Sequence, residues 1–118
     1  MIMSEYIEYL HDVFARLGPI TTRKMFGGYG VYHDGLMFAL IADDTLYLKA
    51  DSENTIHFEN AGLGPFEYDK NGKRVRMSYF RAPDEIMDDR ETAALWARRS
   101  FEAALRSQAT KNKPVVKK

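Results

Sequence analysis

Cysteine is absent from this 118-residue chain, which excludes disulfide staples and cysteine-ligated zinc and fits a reducing compartment. Long apolar runs are missing as well. The longest, Leu36 to Ala42, is far too short to cross a bilayer. The first dozen or so residues show no basic stretch followed by an apolar core, so no secretory signal is read there and the expected location is the cytoplasm, with no membrane partner. A net charge of one sign is also lacking, since 17 basic residues balance 17 acidic ones. The balance is uneven along the chain. Residues 107–118 hold Lys111, Lys113, Lys117 and Lys118 and no acid, so removing those four lysines from a neutral chain leaves residues 1–106 at −4. An acidic body with a short basic tail lacks the strong basic patch of a dedicated nucleic-acid-binding domain. The tail reads as a solvated, disordered end.

What is present is ordinary for one globular domain: 45% hydrophobic and 29% charged residues in a length that can bury roughly two-thirds of its unfolded surface. We assign one domain to residues 1–106. A first helix is expected from about Ser4, as N-cap, to Leu17, with Ile7, Leu10, Phe14 and Leu17 forming an apolar stripe and Gly18-Pro19 ending it. Three strand-like segments follow: Thr21 to Tyr32, interrupted by Gly27, Gly28 and Gly30; Leu36 to Ala42; and Thr45 to Ala50. The turns Asp34-Gly35 and Asp43-Asp44 separate them. In the last of these strands Leu46 and Leu48 point one way, Tyr47 and Lys49 the other. A short helix from about Ser52 to Asn60, capped by Asp51 or Ser52, has Ile56 as its expected core residue. A hairpin then runs Phe66–Tyr68, a turn at Asp69–Gly72, and Lys73–Phe80. A last helix starts at Asp88 or Asp89 and runs to about Ser107, burying Ala94, Ala97, Phe101, Ala104 and Leu105. The order α-β-β-β-α-β-β-α with hairpin-length connections implies an α+β fold, a two-layer sandwich of helices on one twisted antiparallel sheet. The order of strands between the two β groups is not readable.

Several local features invite a functional reading. Gly27-Gly28-Tyr29-Gly30 is neither a dinucleotide fingerprint nor a Walker loop. It reads as a bulged strand approached closely by another backbone, or as a ligand groove beside Arg23 and Lys24. The second hairpin mixes Lys70, Lys73, Arg74 and Arg76 with aromatic rings, a combination that can meet phosphates and stack on bases, although Glu67 and Asp69 lie beside it. His11, His33 and His57 have no partner at metal-ligand spacing, so no metal or cofactor is expected. Ser78 has no nucleophile-elbow context, and no catalytic residues are assigned. Seven tyrosines and seven phenylalanines suggest an apolar patch and, with it, a homodimer.

The run from Arg23 to Tyr32, RKMFGGYGVY, resembles the opening signature of the TfoX (Sxy) N-terminal domain family. Three further pieces in order resemble it too: Phe38–Ala42 followed by Leu46–Asp51, Met77–Phe80 followed by Pro83, and the helix with Leu95-Trp96-Ala97. The resemblance spans the first helix to about Leu105. It implies an α/β fold of the order derived above and a link to natural competence, in which family members resemble transcriptional co-regulators working with a cyclic-AMP receptor protein. Full-length regulators carry a second, C-terminal domain, and this chain is expected to resemble the stand-alone members. The family motif points to Arg23, Lys49 and Ser78 as polar residues to test, each of which can otherwise pair with an acid such as Asp51. Three functions follow in order. The first is a non-enzymatic regulatory or protein-interaction module whose partner is another protein, such as a transcription factor. The second is direct nucleic-acid binding through the basic hairpin and tail. The third is a small-molecule site or enzyme using a cleft near Gly28 lined by Arg23, Lys49 and Tyr79.

Overall fold

In the computed structural model, residues 3–25 and 27–112 are described, and the expected end of the basic tail, residues 113–118, lies outside them. Helix α1, Met3–Val13, turns Leu10, Val13 and the following Phe14 fully into the core. Ser4 sits inside this helix instead of capping it. The helix is also shorter than its apolar periodicity suggests: after Val13 the chain continues as tight turns in which the Leu17 and Gly18 amides both donate to the Phe14 carbonyl, at 3.0 and 3.2 Å. Gly18 then takes φ 138°, and a side chain there would strike the His33 ring.

The glycine-broken segment is two strands, not one. β1, Thr21–Met25, pairs antiparallel with β2, Gly28–His33, so the element order is α-β-β-β-β-α-β-β-α with a fourth strand in the first group. The turn between them passes through Gly27 at φ 66°, a conformation L side chains rarely adopt. A side chain at Gly28 would lie 1.9 Å from the Ile41 carbonyl oxygen, so glycine there is what lets β2 lie against β3, Leu36–Ala42. This is the close backbone approach expected from the sequence. Strand β4, Thr45–Lys49, returns antiparallel to β3. Three hairpin turns, Asp34-Gly35, Asp43-Asp44 and Asn71-Gly72, have positive φ at both central residues, the turn whose twist matches that of the strands it joins.

Helix α2, Thr55–Asn60, leads to β5, Pro65–Lys70, and β6, Lys73–Arg81. The six strands form one antiparallel sheet in the order β1-β2-β3-β4-β6-β5. A register shift beyond Val31 leaves Phe38 as an extra residue in β3. Its ring is fully buried and meets Phe14 edge-on at 5.2 Å. After a 3-10 turn at Asp84–Met87, helix α3 runs Arg90–Asn112, five residues past the expected end. Asp89 begins it, its carboxylate accepting the Glu91 and Thr92 amides at 2.9 and 3.3 Å. Ala93, Ala94, Ala97, Ala103 and Ala104 give α3 a thin face that sits low on β3 and β4.

Two expected core residues are not in the core. Ile56 is 50% exposed and Leu105 46%. In so short a helix only one face meets the body, and Phe58 takes that place, stacked on Phe80 at 5.2 Å and edge-on to Trp96. Leu105 lies beside the alanine face, on the solvent flank of α3.

Polar clasps tie the helices to the sheet. Asp51, just beyond β4, accepts the Glu53 and Asn54 amides and takes both a 2.6 Å and a 2.9 Å bond from the Arg106 guanidinium of α3. Asn54, only 3% exposed, accepts from the Asp51 amide and donates to the Lys49 and Arg99 carbonyls. At the other end Arg90 bonds Asp12 and the Met87 carbonyl and lies over the Tyr9 ring, while the Tyr9 hydroxyl donates to the same Met87 carbonyl.

Three outcomes follow. Gly28→Ala forces a backbone clash and is expected to lose about 2–3 kcal/mol in urea unfolding, whereas Gly64→Ala, with nothing within 4 Å, stays level or gains a few tenths. Ser100 is fully buried with a hydroxyl that has no partner among the described residues, so Ser100→Ala is expected to gain up to about 1 kcal/mol in the same assay. The Arg106 hydrogen bond holds the Asp51 carboxyl below its usual range, against the opposing push of burial. With its folded pKa depressed, Asp51 contributes stability above about pH 4 and loses it as pH falls through the folded value. Asp51→Asn should be less stable than the parent at pH 7, and denaturant midpoints of the two should converge on acidification below about pH 4; parallel curves would remove Asp51 as the source.

Candidate functional site

All packing of helices on the sheet described above falls on one face. Its inward residues include Val31, Ala39, Ile41, Leu46 and Leu48, which join α1 and α3 in the core. Residues one position away in each strand point to the other face. The register makes their neighbours explicit: Arg23 opposes Gly30, Lys49 opposes Tyr79, and Tyr47 opposes Arg81.

Aromatic rings and cations alternate on this outer face. The Arg23 guanidinium lies 5.4 Å from the centre of the Tyr32 ring, and the Lys49 ammonium 5.0 Å from that of Tyr79. The Lys49 ammonium also donates to the Ser78 hydroxyl at 3.3 Å. Burial lowers the Lys49 pKa and Lys111 pushes the same way, with Asp51 opposing. Burial, aided by Tyr32, pushes the Tyr79 phenol well above its ordinary range. Across β4 and β5 the rings of Tyr47, Phe66 and Tyr68 form a row, with centres 4.8 and 6.0 Å apart. By strand alternation Lys70 and its cross-strand partner Lys73 extend that row to the hairpin tip. Gly30 lies beneath Met25, Met37 and Tyr32, where a side chain would press on both sulfurs at under 3 Å.

Among the described residues, no acid on a strand shares this face. The six strands contain only two acidic residues, Glu67 and Asp69. Both alternate with Phe66 and Tyr68, and so project to the opposite side of the hairpin. There they are taken up by Arg74, at 3.3 Å to Glu67 and 3.4 Å to Asp69, and by Arg76, at 3.6 Å to Glu67. Glu67 is also the main reason the Arg74 pKa is raised. The four basic hairpin residues expected to act together are therefore divided, with Lys70 and Lys73 on the outer face and Arg74 and Arg76 in ion pairs behind it.

The other expected site is divided too. Arg23, Lys49 and Tyr79 belong to the outer face, and Ser78 joins them only through the hydrogen bond it accepts from Lys49. Lys24, Gly27 and Gly28 border a shallow depression of about 260 Å³ at the end of the sheet, together with Met3, Tyr29, Ile41, Asp43 and Asp44. The structure does not gather Arg23, Lys49 and Tyr79 into one cleft with Gly28, because Gly28 lies level with Ala42 and Thr45, at the opposite end of β4 from Lys49 and Tyr79. Asp51 is engaged by Arg106 and not by Arg23 or Lys49. Tyr32, Tyr47 and Arg81 were not singled out from the sequence. The alternation that separates Tyr47 and Lys49 from Leu46 and Leu48 was the available signal. Among the described residues no group of three or more His, Cys, Asp or Glu side chains is placed to hold a metal ion, and no helix is long and apolar enough to cross a membrane.

A six-stranded antiparallel sheet with its helices on one face and this signature on β1 and β2 places the chain in a recognisable class. The TfoX N-terminal domain model matches residues 12–104, and the chain belongs to that family. It is similar to protein Sxy of Escherichia coli (strain K12), with 30% identity over 101 residues, covering 86% of this chain and 48% of Sxy. It is also similar to the DNA transformation protein TfoX1 of Aliivibrio fischeri, with 32% identity over 78 residues, covering 66% of this chain and 37% of TfoX1. The DNA transformation protein TfoX of Haemophilus influenzae is 29% identical over 89 residues, covering 73% of this chain and 41% of that protein. The chain thus spans less than half the length of each of these relatives.

Proposed function

We propose that this chain is a regulatory binding module of the kind its relatives' names associate with DNA transformation, and that it works by holding a macromolecule on the outer face of its sheet without chemistry of its own. The observation that carries the reading is that face: among the described residues no helix lies over it and none of its strand residues is acidic, and it carries rings and cations side by side. An uncovered sheet face of mixed aromatic and basic character is a binding surface in want of a partner. The family relationship supports the regulatory half of the reading, since two of the relatives are named for DNA transformation.

The test is a transcript measurement in a strain deleted for the gene and complemented either by the parent chain or by a Tyr47→Ala/Tyr68→Ala variant at matched protein level. The reading predicts that deletion alters transcripts of DNA-uptake genes, that the parent restores them, and that the variant does not. Unchanged transcripts on deletion, or full restoration by the variant, would contradict it.

A further inference from the structure

We infer that the macromolecule the outer face takes is a single-stranded nucleic acid. The inference rests on the reading of that face as the working surface and names its partner.

Charge is the first argument. The chain as a whole is neutral, yet the outward positions of the strands carry Arg23, Lys49, Lys70, Lys73 and Arg81 and no acid. Of these only Arg81 has a carboxylate partner among the described residues, the exposed Asp84 at 3.7 Å. The acids of the sheet are instead placed on the far side of the hairpin and neutralised there by Arg74 and Arg76. A face sorted in this way complements a polyanion. It also repels its own copy, which argues against a homodimer through this surface.

The rings are the second argument. Tyr47, Phe66 and Tyr68 form a continuous aromatic row leading toward Lys70 and Lys73. Unstacked bases stack on such rings whatever their identity, and neighbouring cations meet the phosphates between them. Lys49, which covers the buried Tyr79, and Arg23 over Tyr32 offer charge beside that row, where a backbone laid across the sheet would pass. Shape decides between single strand and duplex. The six strands make a broad surface about 24 Å across, and among the described residues no helix or ribbon projects from this face to enter a groove. A duplex keeps its bases away from such a surface, while a single strand can lay them down on it.

The experiment is fluorescence anisotropy of a labelled oligothymidylate of about 16 nucleotides, the corresponding oligouridylate, and a duplex of equal length, each titrated with the full chain from low to near-physiological salt. The expected result is binding of at least one single strand in preference to the duplex. Affinity should fall with log salt at a slope of about −3, the value for some four phosphate contacts on a single strand. Tyr68→Ala should weaken binding about tenfold with an unchanged circular dichroism spectrum and Tm. Lys70→Gln/Lys73→Gln should lower the salt slope by about 1.4, while Arg98→Gln/Arg99→Gln on α3, the same change in charge, leaves it unaltered. Absence of single-strand binding at low salt would overturn the inference, as would tighter binding to the duplex or equal effects of the outer-face and α3 variants. If no oligonucleotide binds but Tyr47→Ala/Tyr68→Ala still abolishes regulation in the strain, the outer face stands as the working surface and its partner is a protein.

Discussion

The structure depends on a short seam. Three residue pairs, Tyr47 with Arg81, Leu48 with Phe80 and Lys49 with Tyr79, join β4 to β6 and so fuse a four-stranded meander and a separate hairpin into one sheet. The Ala50 amide to the Ser78 carbonyl and the Ala82 amide to the Leu46 carbonyl, at 2.9 and 3.0 Å, close the two ends of the seam. The seam brings Phe66 to Tyr47 on one face and Phe80 to Phe58 on the other. What holds the chain to that path is polar. Asn54 fixes the exit from β4 against α3, and Asp51 is gripped by Arg106. An unpaired carboxamide in so buried a place would be costly, so the turn at residues 51–54 has little freedom to direct the next hairpin elsewhere.

This seam also separates two faces of different character. The inward side is ordinary core, with Phe14 and Phe38 packed edge to face and a run of alanines that lets α3 lie close. The outward side carries cations lying over tyrosine rings, one of them the buried Tyr79, and a row of aromatics, with no acid among its strand residues. Glycine serves both sides. Gly28 permits the backbone of β2 to close on β3, and Gly30 lets Met25, Met37 and Tyr32 converge over it.

Local rules made much of this legible. Spacing of Ile7, Leu10 and Phe14 announced α1, and Asp34-Gly35 and Asn71-Gly72 announced their turns, because helix period and positive-φ chemistry are properties of neighbours in sequence. The family was legible for a related reason: its signature lies in contiguous pieces. What failed needed tertiary information. The run from Thr21 to Tyr32 reads as one interrupted strand until Gly27 is seen to reverse it. Ile56 and Phe58 are both plausible core residues of a six-residue helix, and only the position of Trp96 and Phe80 decides for Phe58. The site was half visible for the same reason. Arg23, Lys49 and Tyr79 were found from motif and alternation, but their neighbours Phe66 and Tyr68 reach them only through the β4–β6 seam, and no local pattern reveals which hairpin strand lies inside. Sheet register likewise sorted Lys70 and Lys73 from Arg74 and Arg76, which in sequence look alike.

The claim on which the account turns is that the acid-free face is the working surface. The most direct measurement is a backbone amide NMR titration of isotope-labelled chain with an oligothymidylate of about 16 nucleotides at near-physiological salt. The account predicts shift changes gathered on Tyr32, Tyr47, Lys49, Tyr68 and Lys73, with the exposed flank of α3 around Leu95 and Arg98 silent. Shifts gathered on α3 or on Arg74 and Arg76 instead would contradict it.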